Sequence, residues 1–355
     1  MHPERYRVGI VGLGNIAVRT ADKPAQPPLR DPVLMSHVAS ISYLPNMELV
    51  AVCDVVPEMV ERFRTLWSAR WPNTRRYTDY REMLAKEKLD ILTVATPEHL
   101  HRDVTVLAAK TGLKAIFCEK PLATSLEDAD AMIEACEANK VVLTVGYTRR
   151  WAPLYHTVRD ALRSGAIGPL GTVYTSFGGP QAWLFRNGTH LLDAICFFAE
   201  SEPVKAFAHL EEGFDDWDTF KGEGGIKTVR DPGLTGYVQF ANGVRGLYSS
   251  HKTMSNGIRE VVLDGPKGQI SFQLEDPMAR LKTPTQTLPW FAESMLVPPR
   301  YKTIGIEAVY AELIDSIENG TESVCTAREA RKTVQIMMAF LQSHQEGGRL
   351  VKVPG

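Results

Sequence analysis

A glycine-rich turn, placed directly after the first apolar run, constrains the fold of this 355-residue chain more than any other feature. The run Arg7–Val11 leads into Gly12–Ala17 (GLGNIA), and a helical pattern follows. In such a strand–turn–helix unit the first glycine permits a tight turn and the second lets the backbone approach a pyrophosphate. The motif predicts a dinucleotide-binding unit rather than a glycine-rich turn without a ligand. The residues expected to contact the dinucleotide are Gly12, Gly14, Asn15 and Ile16.

The first part of the chain alternates short apolar runs with helical patterns. The runs cover residues 7–11, 48–53, 90–95, 114–118 and 141–146. They are rich in Val, Ile and Leu, and they are too continuous for a sheet with one solvated face. Pro57 fits the first position of a helix, and Thr124 with Glu127 fits a capping box. Right-handed crossovers between such strands predict a doubly wound parallel sheet, the α/β Rossmann fold.

The pattern changes after Arg150. Longer segments now alternate apolar with polar residues, as half-exposed antiparallel strands do. Asn242-Gly243 separates two such segments and is a strong hairpin signal. Pro266–Gly268 separates two more and predicts a second hairpin.

Helical patterns near 304–318 and 326–345 close the chain, and the second opens with a capping box of Thr326 and Glu329. We therefore predict two domains. A dinucleotide-binding domain covers 1–148, and an α+β domain for substrate binding and oligomerisation covers 149–355.

The bulk composition excludes several classes of protein. The net charge is −2, with 44% hydrophobic and 23% charged residues, so neither a nucleic-acid nor a membrane partner is expected. The five cysteines are never spaced as Cys-x-x-Cys, which argues against a disulfide framework and a cysteine zinc site. Met1–Tyr6 carries no targeting pattern, and no apolar stretch is long enough to span a bilayer. We therefore expect a cytoplasmic protein.

Asp54 ends the second predicted strand, where an acidic residue accepts hydrogen bonds from the adenosine ribose. It lies 40 residues after Gly14, where about 20 is usual. Ala21–Pro32, an insertion with four prolines, accounts for the excess; it is either a loop near the cofactor or a surface elaboration without a role. A carboxylate repels a 2′-phosphate, and Val55–Pro57 holds no basic residue. The expected cofactor is therefore NAD, with NADP less favoured.

Two further segments end predicted strands at the sheet edge where ligands bind in open α/β folds. Thr96–His101 (TPEHLH) has two histidines, but no cysteine or carboxylate cluster stands at a spacing that suits a metal, so no metal is expected. The better interpretation is a turn that contacts the cofactor through Thr96, Pro97, His99 and His101. Glu119-Lys120-Pro121 ends the next strand, where a lysine beside a nicotinamide can move a proton. Glu119 and Lys120 are expected to contact the cofactor, with a surface lysine as the alternative.

Several segments occur in a characteristic order and spacing. They are Val8–Ala17, Thr96–His101, Glu119–Ala123, Gly146–Pro153, Gly165–Gly168 and Gly188–Asp193. Together they resemble the glucose–fructose oxidoreductase/inositol dehydrogenase (Gfo/Idh/MocA) family, and the resemblance covers nearly the whole chain. It implies a Rossmann domain followed by an open, mainly antiparallel sheet whose free face forms subunit contacts. A homodimer or homotetramer through the C-terminal sheet is therefore expected.

The resemblance also implies roles for individual residues. In the family the lysine of Glu-Lys-Pro lies near nicotinamide and substrate, which makes Lys120 the first catalytic candidate. The histidine of Gly-x-His-x-x-Asp acts as acid or base on the reacting hydroxyl, which indicates His190. Asp193, one helical turn later, either binds a substrate hydroxyl or orients His190. Arg150 and Trp151 are further candidates for substrate binding.

One position departs from the family pattern. Many sugar and cyclitol dehydrogenases of the family carry an aspartate four residues before the histidine, where this chain has Arg186. Arginine is no base near neutral pH, but its guanidinium clamps a carboxylate or phosphate. Either the substrate is anionic and held by Arg186 and Arg150, or the lysine and the histidine move the proton without a third residue. Trp183 is a further candidate for stacking on a sugar.

Three functions follow from these residues. The favoured one is reversible, NAD-dependent oxidation of a secondary alcohol on a small carbohydrate-like substrate: a sugar, a cyclitol or a sugar derivative. The alternative is an NAD-dependent glycoside hydrolase or lyase that oxidises its substrate transiently and keeps its cofactor tightly bound. A non-catalytic dinucleotide sensor is the third.

Overall fold

The computed structural model describes residues 5–20, 36–179, 184–212, 232–253, 255, 257–285, 290–299 and 303–355. The chain divides into two compact units. The first unit comprises Met1–Thr148 with Lys302–Arg328, and the second comprises Arg149–Tyr301 with Glu329–Gly355. A late segment thus belongs to the first unit, whereas the linear division from the sequence assigns everything after residue 148 to the second.

A six-stranded parallel sheet forms the centre of the first unit. Its strands are β1 (Tyr6–Val11), β2 (Met47–Cys53), β3 (Arg75–Tyr77), β4 (Ile91–Val94), β5 (Ala115–Cys118) and β6 (Val142–Val145). Their order is β3-β2-β1-β4-β5-β6, and every neighbouring pair is parallel. This is the strand order of the Rossmann fold, so the predicted fold class is confirmed. The sequence missed β3 because its three residues are exposed or half-buried and form no apolar run.

Helices connect these strands. They are α1 (Asn15–Val18), α2 (His37–Tyr43), α3 (Pro57–Trp67), α4 (Tyr80–Lys86), α5 (His101–Ala109) and α6 (Leu126–Ala138). Pro57 begins α3 as predicted. The capping prediction at α6 is wrong by one residue: Ser125, in extended conformation, accepts the N–H of Asp128 at 3.2 Å, and Thr124 lies outside the cap.

The predicted insertion at 21–32 lies outside the described residues, but Arg19 before it and Ser36 after it are described. The Ser36 hydroxyl donates to the Arg19 carbonyl at 2.6 Å. The same Ser36 side chain caps α2 by accepting the N–H of Ala39 at 3.3 Å. The two flanks therefore meet at the start of α2.

The second unit is built on a nine-stranded sheet. Its strands are β7 (Thr172–Gly178), β8 (Pro203–Leu210), β9 (Leu234–Phe240), β10 (Arg245–His251), β11 (Arg259–Gly265), β12 (Gly268–Gln273), β13 (Ala279–Pro284), β14 (Phe291–Leu296) and β15 (Val351–Lys352). Their order is β14-β13-β12-β11-β7-β10-β9-β8-β15, and only β7 and β10 pair in parallel. The mainly antiparallel sheet is thus confirmed. Both hairpins are confirmed as well, with β9 pairing β10 and β11 pairing β12 across the predicted turns.

The remaining helices are α7 (Pro153–Arg163), α8 (Thr189–Ala199), α9 (Gly305–Asn319) and α10 (Ala327–Gln345). All eleven residues of α8 are buried, so this helix lies inside the core of the second unit, against β7 and β10. The predicted closing helices are confirmed as α9 and α10. Among the described residues no helix is both long and apolar enough to cross a membrane.

Candidate functional site

The turn after β1 has a geometry that only glycine fits. Gly12 has φ +95°, and its N–H donates to the Cys53 carbonyl at 2.8 Å. A Cβ added to Gly12 would lie 2.4 Å from the carbonyl carbon and oxygen of Ala95. At Gly14, by contrast, no heavy atom lies within 4 Å of an added Cβ. The turn therefore packs tightly on the end of β4 on one side and leaves open backbone on the other.

The next residues of the turn are accessible. Asn15 is exposed and Ile16 is half-buried at the start of α1. The Asn15 side-chain oxygen accepts a hydrogen bond of 2.7 Å from Arg62 of α3. Arg62 is a cation beside this turn that the sequence did not indicate, because it lies in α3 and outside the three positions that follow Asp54.

Asp54 follows β2 and is anchored by two backbone groups. One carboxylate oxygen accepts the N–H of Leu13 at 2.7 Å, and the other accepts the N–H of Val56 at 2.9 Å. Asp54 is half-buried and joins the end of β2 to the glycine turn. The carboxylate predicted to bind a ribose is thus held against the predicted pyrophosphate turn.

The segment after β4 forms a short 3₁₀ turn, Glu98–Leu100, with the half-buried Pro97 at its N-cap position. Two of its predicted contact residues have buried polar atoms, Thr96 Oγ1 and His99 Nδ1. Neither atom has a hydrogen-bond partner within the described part of the chain. Buried polar groups are nearly always paired, so these two atoms fit a ligand that brings hydroxyl or amide groups.

His101 has no exposed surface. Its Nε2 lies 3.0 Å from the Thr96 carbonyl, and its Nδ1 lies 3.0 and 3.2 Å from the carbonyls of Pro121 and Leu122. Burial lowers the pKa of His101, against the opposing effects of the Glu98 charge and these carbonyls. The predicted cofactor contact is therefore not available to this side chain; it holds the two turns that follow β4 and β5 together.

Glu119 and Lys120 follow β5. Glu119 is 8% exposed, and its carboxylate accepts hydrogen bonds from His37 Nε2 at 3.0 Å and from the Lys120 N–H at 3.3 Å. Burial alone would raise the pKa of Glu119, but the interaction with His37 and the positive charge of Lys120 outweigh it, and the pKa lies below its usual range. Lys120 is half-buried, and the Lys120–Pro121 peptide is cis. Glu119 is therefore an ionised carboxylate beside Lys120.

The residues of this edge fit a dinucleotide. Gly12, Asp54, Thr96 and Lys120 follow the carboxyl ends of β1, β2, β4 and β5, which meet at one edge of a parallel sheet. The open backbone at Gly14, the anchored carboxylate of Asp54 and the two orphaned polar atoms suit a pyrophosphate, a ribose and further polar groups, in that order.

In the second unit, His190 lies in the first turn of α8, directly after a π-helical turn, Leu184–Gly188. Its Nε2 lies 3.2 Å from Nη1 of Arg149. A guanidinium only donates, so Nε2 is the acceptor and carries a lone pair. Arg149 is 24% exposed and also pairs with Glu275. Arg149 is a second residue that the sequence did not indicate, because its neighbour Arg150 has the same side chain.

The predicted substrate contacts of Arg150 and Asp193 are corrected by their burial. Each side chain is 2% exposed, and they form an ion pair in which Arg150 Nε donates to both carboxylate oxygens of Asp193, at 2.9 and 3.1 Å. Arg150 also reaches Glu329 at 3.5 Å. Burial raises the pKa of Asp193 to about 6, against the opposing charge of Arg150. The pair ties α8 to the segment before α7 and engages both oxygens of the Asp193 carboxylate.

Trp151 and Arg186 differ in accessibility. Trp151 is 8% exposed, and its indole N–H has no partner among the residues that the structure describes. Arg186 is exposed in the π-helical turn, four residues before His190. Arg186 is therefore a surface residue, whereas Trp151 belongs to the core. Trp183 lies outside the described residues.

Two family models match the chain. The model for the GFO/IDH/MocA oxidoreductase family with an NAD-binding Rossmann fold matches residues 6–147. The model for the C-terminal alpha/beta domain of the same family matches residues 174–353.

Individual relatives agree with these matches. D-Apiose dehydrogenase of Paraburkholderia graminis is 28% identical over 335 residues, which cover 88% of this chain and 85% of the relative. Inositol 2-dehydrogenase of Rhizobium meliloti is 27% identical over 259 residues, which cover 68% of this chain and 73% of the relative. The crystal structure of an Agrobacterium radiobacter oxidoreductase in complex with NAD+, L-tartaric acid and magnesium has a TM-score of 0.76 at 20% identity, covering 98% of both chains. That last similarity concerns the fold.

Proposed function

Because the chain belongs to the GFO/IDH/MocA family of oxidoreductases, with its NAD-binding Rossmann domain, we propose that it oxidises a secondary alcohol reversibly. The substrate class is a sugar, a cyclitol or a sugar derivative, as the names of the D-apiose and inositol relatives suggest. The observation that carries the proposal is the position of Lys120, which follows β5 on the same sheet edge as the Gly12 turn.

Different residues of the chain bind the cofactor and transfer the proton. The turn after β1 holds the pyrophosphate through Gly12, Gly14, Asn15 and Ile16. Asp54 holds the adenosine ribose. Thr96, Pro97, His99 and Glu119 line the rest of the cofactor edge. The nicotinamide supplies the hydride acceptor when it is bound. Lys120 and His190 take the hydroxyl proton. His190 Nε2 is an acceptor, as a base must be, and the substrate hydroxyl would displace its hydrogen bond from Arg149.

The cofactor is proposed to be NAD rather than NADP. Both oxygens of Asp54 are held by backbone N–H groups, so this carboxylate cannot swing away from a 2′-phosphate. Arg62, the nearby cation, is already engaged with Asn15. Repulsion between the carboxylate and a 2′-phosphate is then not relieved.

An anionic substrate is part of the proposal, with Arg186 kept and Arg149 in place of Arg150. Arg150 is withdrawn because it is buried against Asp193. Arg186 is exposed, and Arg149 is partly exposed beside His190. These two guanidinium groups suit a uronic or aldonic carboxylate.

The proposal is tested with NAD+ and NADP+ in parallel against neutral sugars, cyclitols and sugar acids, followed at the NADH absorbance band. We expect catalytic NADH formation with at least one alcohol, faster with NAD+ than with NADP+. Sugar acids as the best substrates would support the arginine assignment. Glycoside cleavage without net NADH would establish the hydrolase or lyase alternative instead, and NAD binding without any turnover would establish a sensor.

We also propose that the second unit forms a homodimer or homotetramer through its sheet. An apolar row runs across β8, β9 and β10, where Tyr237 pairs with Phe207 on one side and with Leu247 on the other. The rings of Phe207 and Tyr237 stack with 5.2 Å between their centroids. Phe207 is 41% exposed and Leu247 is 38% exposed, whereas alternate residues of β8 are buried. An apolar row of this kind on an open sheet suits a second copy of the chain.

Sedimentation velocity tests this assembly. The unaltered protein is expected at the mass of two or four chains, and Phe207→Lys with Leu247→Lys is expected to shift it to one chain. Tyr43→Lys, at an exposed tyrosine of the first unit, serves as the control and should change nothing. A single-chain mass for the unaltered protein contradicts the proposal.

A cytoplasmic location is proposed as well. All five cysteines are buried and free. Free thiols of this kind suit a reducing compartment, where disulfides are rare.

A further inference from the structure

Four buried groups of the first unit form a continuous hydrogen-bonded chain that ends at the carboxylate beside Lys120. Thr93 Oγ1, from β4, lies 2.6 Å from the hydroxyl of Tyr310 in α9. That hydroxyl lies 2.9 Å from His37 Nδ1 in α2, and His37 Nε2 lies 3.0 Å from Glu119 Oε1. Thr93, His37 and Tyr310 are 0% exposed. We call these four residues the buried relay.

The direction of the hydrogen bond to Glu119 is fixed by chemistry. A carboxylate only accepts, so His37 must donate through Nε2. The other ring nitrogen is then left for the Tyr310 hydroxyl. Burial raises the pKa of Tyr310 despite the opposing hydrogen bond with Thr93, so the phenol keeps its proton and bridges His37 and Thr93. Tyr310 therefore determines where the imidazole points.

Packing holds the buried relay in one arrangement. The ring of Phe117 meets the rings of His37 and Tyr310 edge to face, at 4.7 and 5.0 Å between centroids. Gly146 also lies close: an added Cβ would be 3.3 Å from Glu119 Oε1 and 3.0 Å from Phe117. These neighbours and its low exposure leave the Glu119 carboxylate little room to change rotamer.

The carboxylate is coupled to Lys120 by charge. The positive charge of Lys120 is one of the influences that keep Glu119 ionised. The interaction is mutual, so the negative charge of Glu119 stabilises the Lys120 ammonium equally. Three further titratable groups interact with Glu119: Tyr310 and His101, which feel its charge, and Cys118, which precedes it.

We propose that His37 and Tyr310 are positioning residues, which hold the Glu119 carboxylate in place and thereby set the reactivity of the Lys120 amine. The inference rests on the proposed function for its catalytic consequence. It does not need turnover for its test, because the reactivity of an amine can be measured without cofactor or substrate.

The experiment measures acylation of Lys120 by acetic anhydride at neutral pH in the cofactor-free protein, peptide by peptide, relative to the exposed Lys110. In Tyr310→Phe we expect Lys120 to react about three- to tenfold faster. The rate follows the unprotonated fraction of Lys120, because only the neutral amine is acylated. The reason is that a loosened Glu119 stabilises the ammonium less. Glu119→Gln, which removes the charge, should accelerate Lys120 at least as much.

Tyr6→Phe is the matched control. Tyr6 is a buried tyrosine of the same unit, and its hydroxyl donates to a different carboxylate, Glu318, at 3.0 Å. Its removal should leave the Lys120 rate unchanged. If Tyr310→Phe fails to fold, His37→Leu and His37→Gln replace it: the leucine, without a donor, should accelerate Lys120, and the glutamine, which can donate to Glu119, should do so less.

Two results overturn the proposal. One is an unchanged Lys120 rate in folded Tyr310→Phe, and the other is an unchanged rate in Glu119→Gln. When a substrate is known, Tyr310→Phe should also change kcat while leaving KM for NAD+ unchanged. If the unaltered protein oxidises no alcohol, the proposed function fails, and the acylation rates still decide the role of the buried relay.

Discussion

Arg150→Met is expected to lower the free energy of unfolding by about 3–5 kcal/mol. Arg150 and Asp193 are each 2% exposed, so water does not screen their interaction. The substitution leaves the Asp193 carboxylate buried without the guanidinium that held both of its oxygens, and such a charge is costly in a protein interior. Urea unfolding followed by circular dichroism measures the loss.

The loss is expected to depend on pH in a defined direction. Burial raises the pKa of Asp193 from 3.8 to about 6, against the opposing charge and hydrogen bonds of Arg150. Without Arg150 the folded-state pKa rises further. A folded-state pKa above the unfolded value means that the folded protein binds the proton more tightly, so stability is lost as the pH rises through the folded pKa. The deficit of Arg150→Met should therefore be larger at about pH 8 than at about pH 5.

Two further variants isolate the effect of burial. Arg163 and Glu200 form an exposed ion pair, with side chains 56% and 39% exposed, so Arg163→Met should cost about 1 kcal/mol or less. Arg150→Met combined with Asp193→Leu removes both charges and should recover much of the stability. If Arg150→Met costs no more than Arg163→Met, the ion pair does not have the role assigned to it.

The sequence was sufficient to predict strands and hairpins, whose signals are local apolar runs and turn residues. The five apolar runs became parallel strands within one residue at each end, because continuous Val, Ile and Leu suit a sheet covered on both faces. The two hairpins followed from their turn residues. By contrast, β3 has no apolar run, and the cap of α6 fell on Ser125 because two adjacent hydroxyl residues offer the same pattern.

The sequence was insufficient to predict contacts between residues far apart in the chain, or which of two adjacent residues lies in the site. His37 and Tyr310 are 273 residues apart, and nothing in either segment indicates that α9 belongs to the first unit. Arg149 and Arg150 are adjacent in one 3₁₀ turn, so composition cannot say which side chain is buried. The structure buries Arg150 and leaves Arg149 beside His190. Tertiary packing decides which of the two side chains is buried, and a single sequence does not show that packing.

Lys120→Met is expected to lower kcat by about 10²–10⁴-fold, the usual contribution of a positioned acid or base. Methionine keeps an unbranched side chain of similar length but cannot carry a proton. In the proposed function the cofactor is held mainly by the turn after β1 and by Asp54, so the Kd for NADH should change little. Stopped-flow measurement of NADH formation and a fluorescence titration with NADH measure the two quantities separately.

The control for this variant is Lys110→Met, at the exposed C-cap position of α5, which should retain full activity. An equally large rise in the Kd for NADH would contradict a proton-transfer role and assign Lys120 to cofactor binding alone. A loss in kcat no larger than that of Lys110→Met would remove Lys120 from the mechanism altogether.

The double variant Lys120→Met with His190→Asn tests whether the two residues act on one proton. Groups that work as a unit lose most of their effect when either one is removed, so their losses do not multiply. We therefore expect kcat of the double variant to lie close to that of the more impaired single variant. Losses that multiply would mean that Lys120 and His190 act in separate steps. His190 Nε2 accepts from the guanidinium of Arg149, so the His190 step would then include displacement of this hydrogen bond by the substrate hydroxyl.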